Sequence, residues 1–274
     1  MAATLTRRRT SRGRMAVCVA LALGWFGTTR MVLGAPQFEN LSSLAASWGL
    51  EFLLAPSGWI PLTLLFGAST LLFALRIREG VTGSLAFAAL AVATAVEIGL
   101  QRELSPPGFG KMLPAAVLGA WLVGWWIGRN DPIREREHRA NELACGVVAA
   151  CLVAPGLSKL LEMGFEWTDG PRHALLIYER SFLARLEWLA ELRRAYASHP
   201  ELCSLSAWFS LAVECGGFLF VLPAARKGYA YTATAMFVGI ALMLGFHAGG
   251  WILVLMAMSH STLATPTTDA PPST

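Results

Sequence analysis

The apolar residues of this chain fall into blocks of about 17 to 22, separated by short charged or Pro/Gly-containing stretches. A helix of that length, at 1.5 Å per residue, matches the roughly 30 Å hydrocarbon core of a bilayer. Of the 274 residues, 55% are hydrophobic and only 15% charged, and a soluble domain carries about a quarter charged residues. Water is therefore not the main solvent. Transmembrane β-barrels would instead show segments of about ten residues alternating apolar and polar, and nothing here alternates over that length. The expected fold class is all-α, a polytopic transmembrane helix bundle of about seven to eight spans in a lipid bilayer.

Reading apolar blocks against their breaks places spans near 15–34, 57–75, 82–100, 113–128, 143–161, 205–222 and 229–258. The last is too long for one helix, and Gly249-Gly250 is the candidate break, giving two passes or a span and a re-entrant piece. Arg7, Arg8, Arg9, Arg12 and Arg14 precede the first block, the pattern of a signal peptide or of a retained anchor. The apolar stretch runs past Met15 towards Leu33, longer than a usual signal core, which favours an anchor; Leu33-Gly34-Ala35 leaves cleavage open.

With residues 1–14 as a basic cytoplasmic N-terminus, the inside loops carry Arg76 and Arg78, then Arg129, Arg134, Arg136 and Arg139, then Arg226 and Lys227. The outer connection from Pro36 to Gly58 has no Lys or Arg. This follows the positive-inside rule for a multi-pass protein of the plasma (inner) membrane. The long connection Glu162 to Ser204 then falls outside although it holds Arg172, Arg180, Arg185, Arg193 and Arg194. Within it, Leu175, Leu176, Phe182, Leu183, Leu186 and Leu189 recur near a helical period, so 173–192 reads as an amphipathic segment that lies on the membrane or caps the bundle. The tail 259–274, rich in Thr, Pro and Ala, is expected to be disordered; residues 15–258 form the membrane domain.

The net charge of +4 gives no argument for nucleic acid. Cys18, Cys145, Cys151, Cys203 and Cys215 are odd in number, lie in or beside apolar blocks and form no C-x-x-C, so packing is the better reading for them. The histidines have no H-E-x-x-H or paired metal-ligand spacing, and no metal site is expected.

An ionisable group inside hydrocarbon is costly and normally faces a partner, a cavity or a water path. Arg30, Glu97, Lys159, Glu214 and His247 are such groups. In this topology Arg30, Glu97 and Lys159 fall near the outer ends of their spans, His247 in an outer half, and Glu214 about midway, so a shared polar cavity opening outward is one reading. The other reading is structural. Arg30 and Lys159 can snorkel, Glu97 is close to Gln101 and Arg102, His247 can serve backbone freed at a helix break, and Glu214 can pair with Arg30 or Lys159. Enclosure in an apolar pocket favours a neutral lysine amine and a close carboxylate favours the ammonium; the sequence does not say which prevails at Lys159. Trp25, Phe26, Trp121, Trp125, Trp126, Trp208 and Phe209 either line a site for a flat apolar ligand such as a quinone or serve as belt and packing aromatics.

Gly156-Leu157-Ser158-Lys159-Leu160, followed by Trp167-Thr168-Asp169-Gly170, resembles the G-x-x-K-L then W-x-x-G segment of the HTTM family, bacterial membrane domains related to vitamin K-dependent gamma-carboxylase. Trp208 followed by Glu214-Cys215-Gly216-Gly217-Phe218-Leu219 is similar to that family's helix with a tryptophan and then a glutamate near small residues, and Phe237 to Leu253, with His247, looks like its terminal glycine-containing span. The resemblance implies a helical membrane domain and, through the lysine that deprotonates vitamin K hydroquinone in the carboxylases, names Lys159 alone as catalytic. Joined to the polar cavity read from the residues themselves, with Arg30, Glu97, Glu214, His247 and Trp208 as its candidate ligand-binding residues, it leads to the expectation of a site for a quinone or lipid with redox-linked chemistry. Two alternatives stay open: a noncatalytic membrane partner in maturation or export of another protein, and a small-solute transporter using Glu214 and His247 as a proton relay.

Overall fold

A computed structural model describes residues 49–100, 109–245 and 249–259 and, within the first apolar block, 17–18, 21–22, 24–26 and 28–29, with side chains masked at 97–100, 109–112 and 114. The expected N-terminal basic segment and the tail beyond Ser259 lie outside the described residues. What is described is all-α, with no strand among the described residues. The helices are α1 (Pro56–Ala74), α2 (Glu79–Leu100), α3 (Phe109–Ile127), α4 (Ile133–Met163), α5 (Gly170–Ser181), α6 (Glu187–Ala197), α7 (Pro200–Cys215), α8 (Pro223–Leu244) and α9 (Gly249–Ser259). Short 3-10 turns occupy Leu50–Leu54, Gly164–Thr168 and Gly216–Phe220.

Four stretches are long and apolar enough to cross a membrane by length and composition: Pro56–Ala74, Glu79–Val96, Ile133–Thr168 and Pro200–Phe220. Ala115–Ile127 and Gly249–Ser259 are shorter apolar helices. Less than half of each long stretch is buried inside the molecule, and residues such as Leu64, Leu71, Leu161 and Leu205 stand exposed. An apolar surface of that extent suits acyl chains rather than water.

Neighbours in sequence pack as neighbours in space: α1 on α2, α2 on α3, and most extensively α3 on α4. The sheet-free bundle is closed by α9 against α3 and by α7 and α8 against each other. Described residues of the first block pack on α1, where Trp25 stacks on Phe66 at 4.2 Å and on Trp59 at 5.5 Å. The indoles of this stack donate to threonine hydroxyls, Trp25 to Thr63 and Trp59 to Thr29, which satisfies polar atoms that hydrocarbon could not.

The basic loops gather at one end. Arg76, left-handed at φ 63°, reaches Glu137 at 3.2 Å; Arg139 pairs with Asp131 at 3.0 Å; Arg226 pairs with Glu142 at 3.1 Å. Arg136 donates to the Trp125 carbonyl and lies 4.0 Å over the Trp125 ring. The first three turns of α4 thus meet charges from the α1–α2 and α3–α4 connections and from the first turn of α8.

Two helix breaks differ from the sequence expectation. The break in 229–258 comes before Gly249-Gly250: α8 stops at Leu244 with Gly245 left-handed at φ 74°, a conformation glycine adopts without penalty, and Gly249 already opens α9. The amphipathic stretch near 173–192 is two helices rather than one, because the chain leaves the helix after Ser181 and re-enters at Glu187.

Candidate functional site

The site lies on the seam between α4 and α7. α4 has 31 residues and carries Lys159 four residues before its end. Pro155, one turn earlier, cannot donate to the Cys151 carbonyl, so the helix ladder loses a bond just before the lysine. On the facing side of the seam, α7 tightens into a 3-10 turn immediately after Glu214-Cys215. Tyr229 of α8 donates to the Val213 carbonyl at 2.6 Å, which gives that carbonyl a partner where the α-helical ladder ends.

Small residues set the distance. A Cβ on Gly156 would lie 2.9 Å from the Glu214 Cβ and 3.0 Å from the Cys215 nitrogen, and one on Gly217 would lie 2.8 Å from the Leu152 Cβ. Glycine at both positions lets the backbones approach in the manner of small-residue seams in membrane bundles. The approach delivers Lys159 to Glu214: the ammonium donates to both carboxylate oxygens at 2.6 Å. The side chains keep 21% and 10% of their exposure, so the pair is enclosed by protein but not sealed.

Trp167 forms the next wall. Lys159 Nζ stands 4.7 Å over its ring, close enough for a cation–π attraction, and His173 meets the same ring edge-on at 5.2 Å. The His173 ring also bonds the Trp167 carbonyl. Asp169 caps α5 by accepting from the Arg172 amide, and Ser204 of α7 donates to the Thr168 carbonyl at 2.8 Å. Gly170 is required where it stands, since a Cβ there would overlap the Pro200 carbonyl. The Trp167-Thr168-Asp169-Gly170 segment is therefore a clamp that fixes the turn after α4 onto the start of α7.

Two cavities border that clamp. One of ≈ 590 Å³ is lined by Phe165, Glu166, Thr168, Asp169, Gly170, Arg172 and Ser204. The other, of ≈ 340 Å³, is lined by Trp167, Arg172, His173, Leu175, Leu176 and Glu179. Trp167 is common to the second cavity and to the lysine pair.

Of the residues singled out from sequence, Lys159 and Glu214 come together. Trp208 stacks on Phe165 at 5.4 Å and is 45% exposed. Arg30, the Glu97 side chain and His247 lie outside the described residues. The remaining aromatics divide: Trp25, Trp121 and Trp125 are buried in the packed interior, and Phe26, Trp126 and Phe209 are exposed. All five cysteines are free, and among the described residues no His, Cys, Asp and Glu group is arranged to hold a metal ion.

Sequence reasoning missed Trp167 as a neighbour of the lysine and His173 as the residue packed on Trp167, and it missed Arg193. That residue is 4% exposed and donates from Nε to the Leu242 carbonyl at 2.8 Å and from Nη1 to the Arg180 carbonyl at 2.7 Å. No protein family, curated protein or solved structure matches the chain.

Proposed function

We propose that this is a multi-pass membrane protein of HTTM-like type in which the Lys159–Glu214 pair is the polar end of an outward-opening site for a quinone or lipid. The observation that carries the reading is the pair itself, an ammonium and a carboxylate 2.6 Å apart in an apolar bundle, backed by the Trp167 ring and still partly open. A ligand carbonyl, hydroxyl or headgroup oxygen can accept from the ammonium in place of one carboxylate oxygen, while an apolar tail lies along the exposed side of α4 and α7. Redox-linked chemistry at Lys159 belongs to this reading through the family resemblance.

The depth of the pair supports an outward opening. Gly156, which touches Glu214, is about 21 Å along α4 from Glu142, at 1.5 Å per residue, and therefore well removed from the basic end. Placing that basic end in the cytoplasm, with the N-terminus beside it, follows the positive-inside rule.

A second reading has its own support. Each charge of the pair already satisfies the other, and the bond ties α4 to α7, as a purely architectural link in a noncatalytic membrane partner of another protein would do.

Mass spectrometry of the protein purified in native lipid separates the two, comparing wild type with Lys159→Ala and Glu214→Ala. A specific quinone or lipid retained by wild type and lost in both variants supports the ligand site. The same mixture of bulk lipid in all three sinks it and leaves the architectural reading.

A further inference from the structure

The α5–α6 hairpin is apolar on more sides than packing uses. Ala174, Ile177 and Ser181 of α5 are buried against the bundle. Leu175, Tyr178 and Phe182 are 60%, 45% and 67% exposed, and the connection adds Leu183 at 69%. At 3.6 residues per turn, this second stripe lies about 100° round the helix from the buried one, and Arg172 and Glu179 lie about 180° from it. α5 therefore has a floor on the protein, a flank that is apolar and a roof that is charged.

The hairpin is also held flat against the bundle end. Its first residue, Gly170, abuts Pro200 at the start of α7. Its far end is pinned by Arg193, whose guanidinium holds the Arg180 carbonyl in α5 and the Leu242 carbonyl in the last turn of α8. α5 thus crosses from α7 to the end of α8. Both hairpin ends run into candidate spans, Ile133–Thr168 before it and Pro200–Phe220 after it. A helix of 12 residues is about 18 Å long, so nothing in the hairpin stands far from where those spans leave the membrane.

We infer that the α5–α6 hairpin is a membrane-interface element whose lateral stripe of Leu175, Tyr178 and Phe182 beds into the headgroup–acyl boundary of one leaflet. The occupant of that stripe is lipid. A helix lying in the interface puts its apolar face toward the acyl chains and its charges toward water, and here the apolar face is the flank, because the floor is taken by protein. The inference rests on the multi-pass reading and adds a second mode of lipid contact to it.

Nitroxide labels in vesicles of phosphatidylcholine and phosphatidylglycerol test it, placed at Leu175→Cys, Phe182→Cys, Glu179→Cys and, in candidate span α1, Leu64→Cys. The signal of the unsubstituted chain is subtracted for its own thiols. At Leu175 and Phe182, collisions with oxygen should exceed those with a water-soluble nickel chelate several-fold. Glu179 should show the reverse, and Leu64 the strongest preference for oxygen. Chelate-dominated labels at Leu175 and Phe182 beside a lipid-like Leu64 would overturn the hairpin proposal and leave the spans intact. A chelate-dominated Leu64 would overturn both. An oxygen-dominated Glu179 would mean a fully submerged hairpin and would refute the lateral arrangement.

Discussion

Lys159 Nζ is equidistant from the two oxygens of Glu214, 2.6 Å from each, across a seam where Gly156 brings the α4 backbone against the Glu214 Cβ. The pair and the glycine form one unit: the charge contact exists because the helices touch, and the helices touch where one of them has no side chain.

The pair should behave non-additively under substitution. Lys159→Met alone leaves a carboxylate whose side chain is 10% exposed with its charge unmatched, and Glu214→Gln alone leaves an unmatched ammonium on a side chain that is 21% exposed. Removing one partner of a buried pair costs roughly 3–5 kcal/mol, and replacing both by similar volumes is often near neutral. Lys159→Met with Glu214→Gln should therefore restore much of the stability lost by either single change, measured by thermal unfolding in detergent. If the double variant retains no quinone or lipid although it is stable, the pair is a binding feature; if single and double variants are equally unstable, the pair does not couple α4 to α7.

The seam glycine gives a second, independent test. Gly156→Ala puts a methyl 2.9–3.0 Å from Glu214 and Cys215, including a backbone atom that cannot step aside. Overpacking of that kind costs about 1–3 kcal/mol. Gly146, in the same helix, has nothing within 4 Å of its Cβ direction, so Gly146→Ala should be neutral or stabilising by about 0.5–1 kcal/mol through helix propensity. A fall in unfolding temperature for Gly156→Ala with none for Gly146→Ala is the expected pattern. Equal effects would show that seam contact is not what glycine provides.

The helical character of the chain, and the positions of α1, α2, α4 and α7, were legible because hydropathy has a length scale set by the bilayer. Lys159 and Glu214 were legible as candidates because charge in an apolar block is rare and expensive. Their partnership was one option among several, since Arg30 was an equally good partner by sequence and the choice depends on how α4 and α7 pack. Trp167 carries no hydropathy signal and becomes a neighbour of the lysine only through the turn Gly164–Thr168, with His173 packed on its ring. The break inside 173–192 was hidden because Leu and Arg continue the helical period across Phe182–Leu186, and tertiary anchoring at Arg193 overrides it. The end of α8 was misread by four residues because Gly245 and Gly249 are equally plausible stops, and only the left-handed backbone at Gly245 distinguishes them.

At the basic end, Arg226 should matter more than its partner. It is buried and donates to the Phe220 and Val221 carbonyls as well as to Glu142, whose side chain keeps 28% of its exposure. Arg226→Ala removes the donors for two backbone carbonyls where the 3-10 turn meets α8, and Glu142→Ala removes only the carboxylate. The expected loss is about 1–3 kcal/mol for each buried acceptor left unpaired, so Arg226→Ala should lower the unfolding temperature well beyond Glu142→Ala. Comparable losses would place the energy in the ion pair rather than in the carbonyl bonds.

Arg193 is the residue on which the α5–α6 hairpin depends, and its chemistry predicts that lysine will not replace it. The guanidinium uses Nε for the Leu242 carbonyl and Nη1 for the Arg180 carbonyl, two acceptors at the ends of two helices that meet the fork from different directions. Lysine offers one nitrogen at the tip of a flexible stem and cannot hold both with that geometry. Those carbonyls belong to the last turns of α8 and α5, where a positive charge is favoured. Arg193→Lys should therefore loosen α5 and α6 from the end of α8 while leaving α4 and α7 joined at Lys159–Glu214. Hydrogen exchange is the measurement: amides of 170–197 should exchange several-fold faster in the variant, and amides of 140–160 should not change. Faster exchange throughout the chain would instead make Arg193 a determinant of the whole fold, and no change anywhere would show that the hairpin is held by its apolar floor alone.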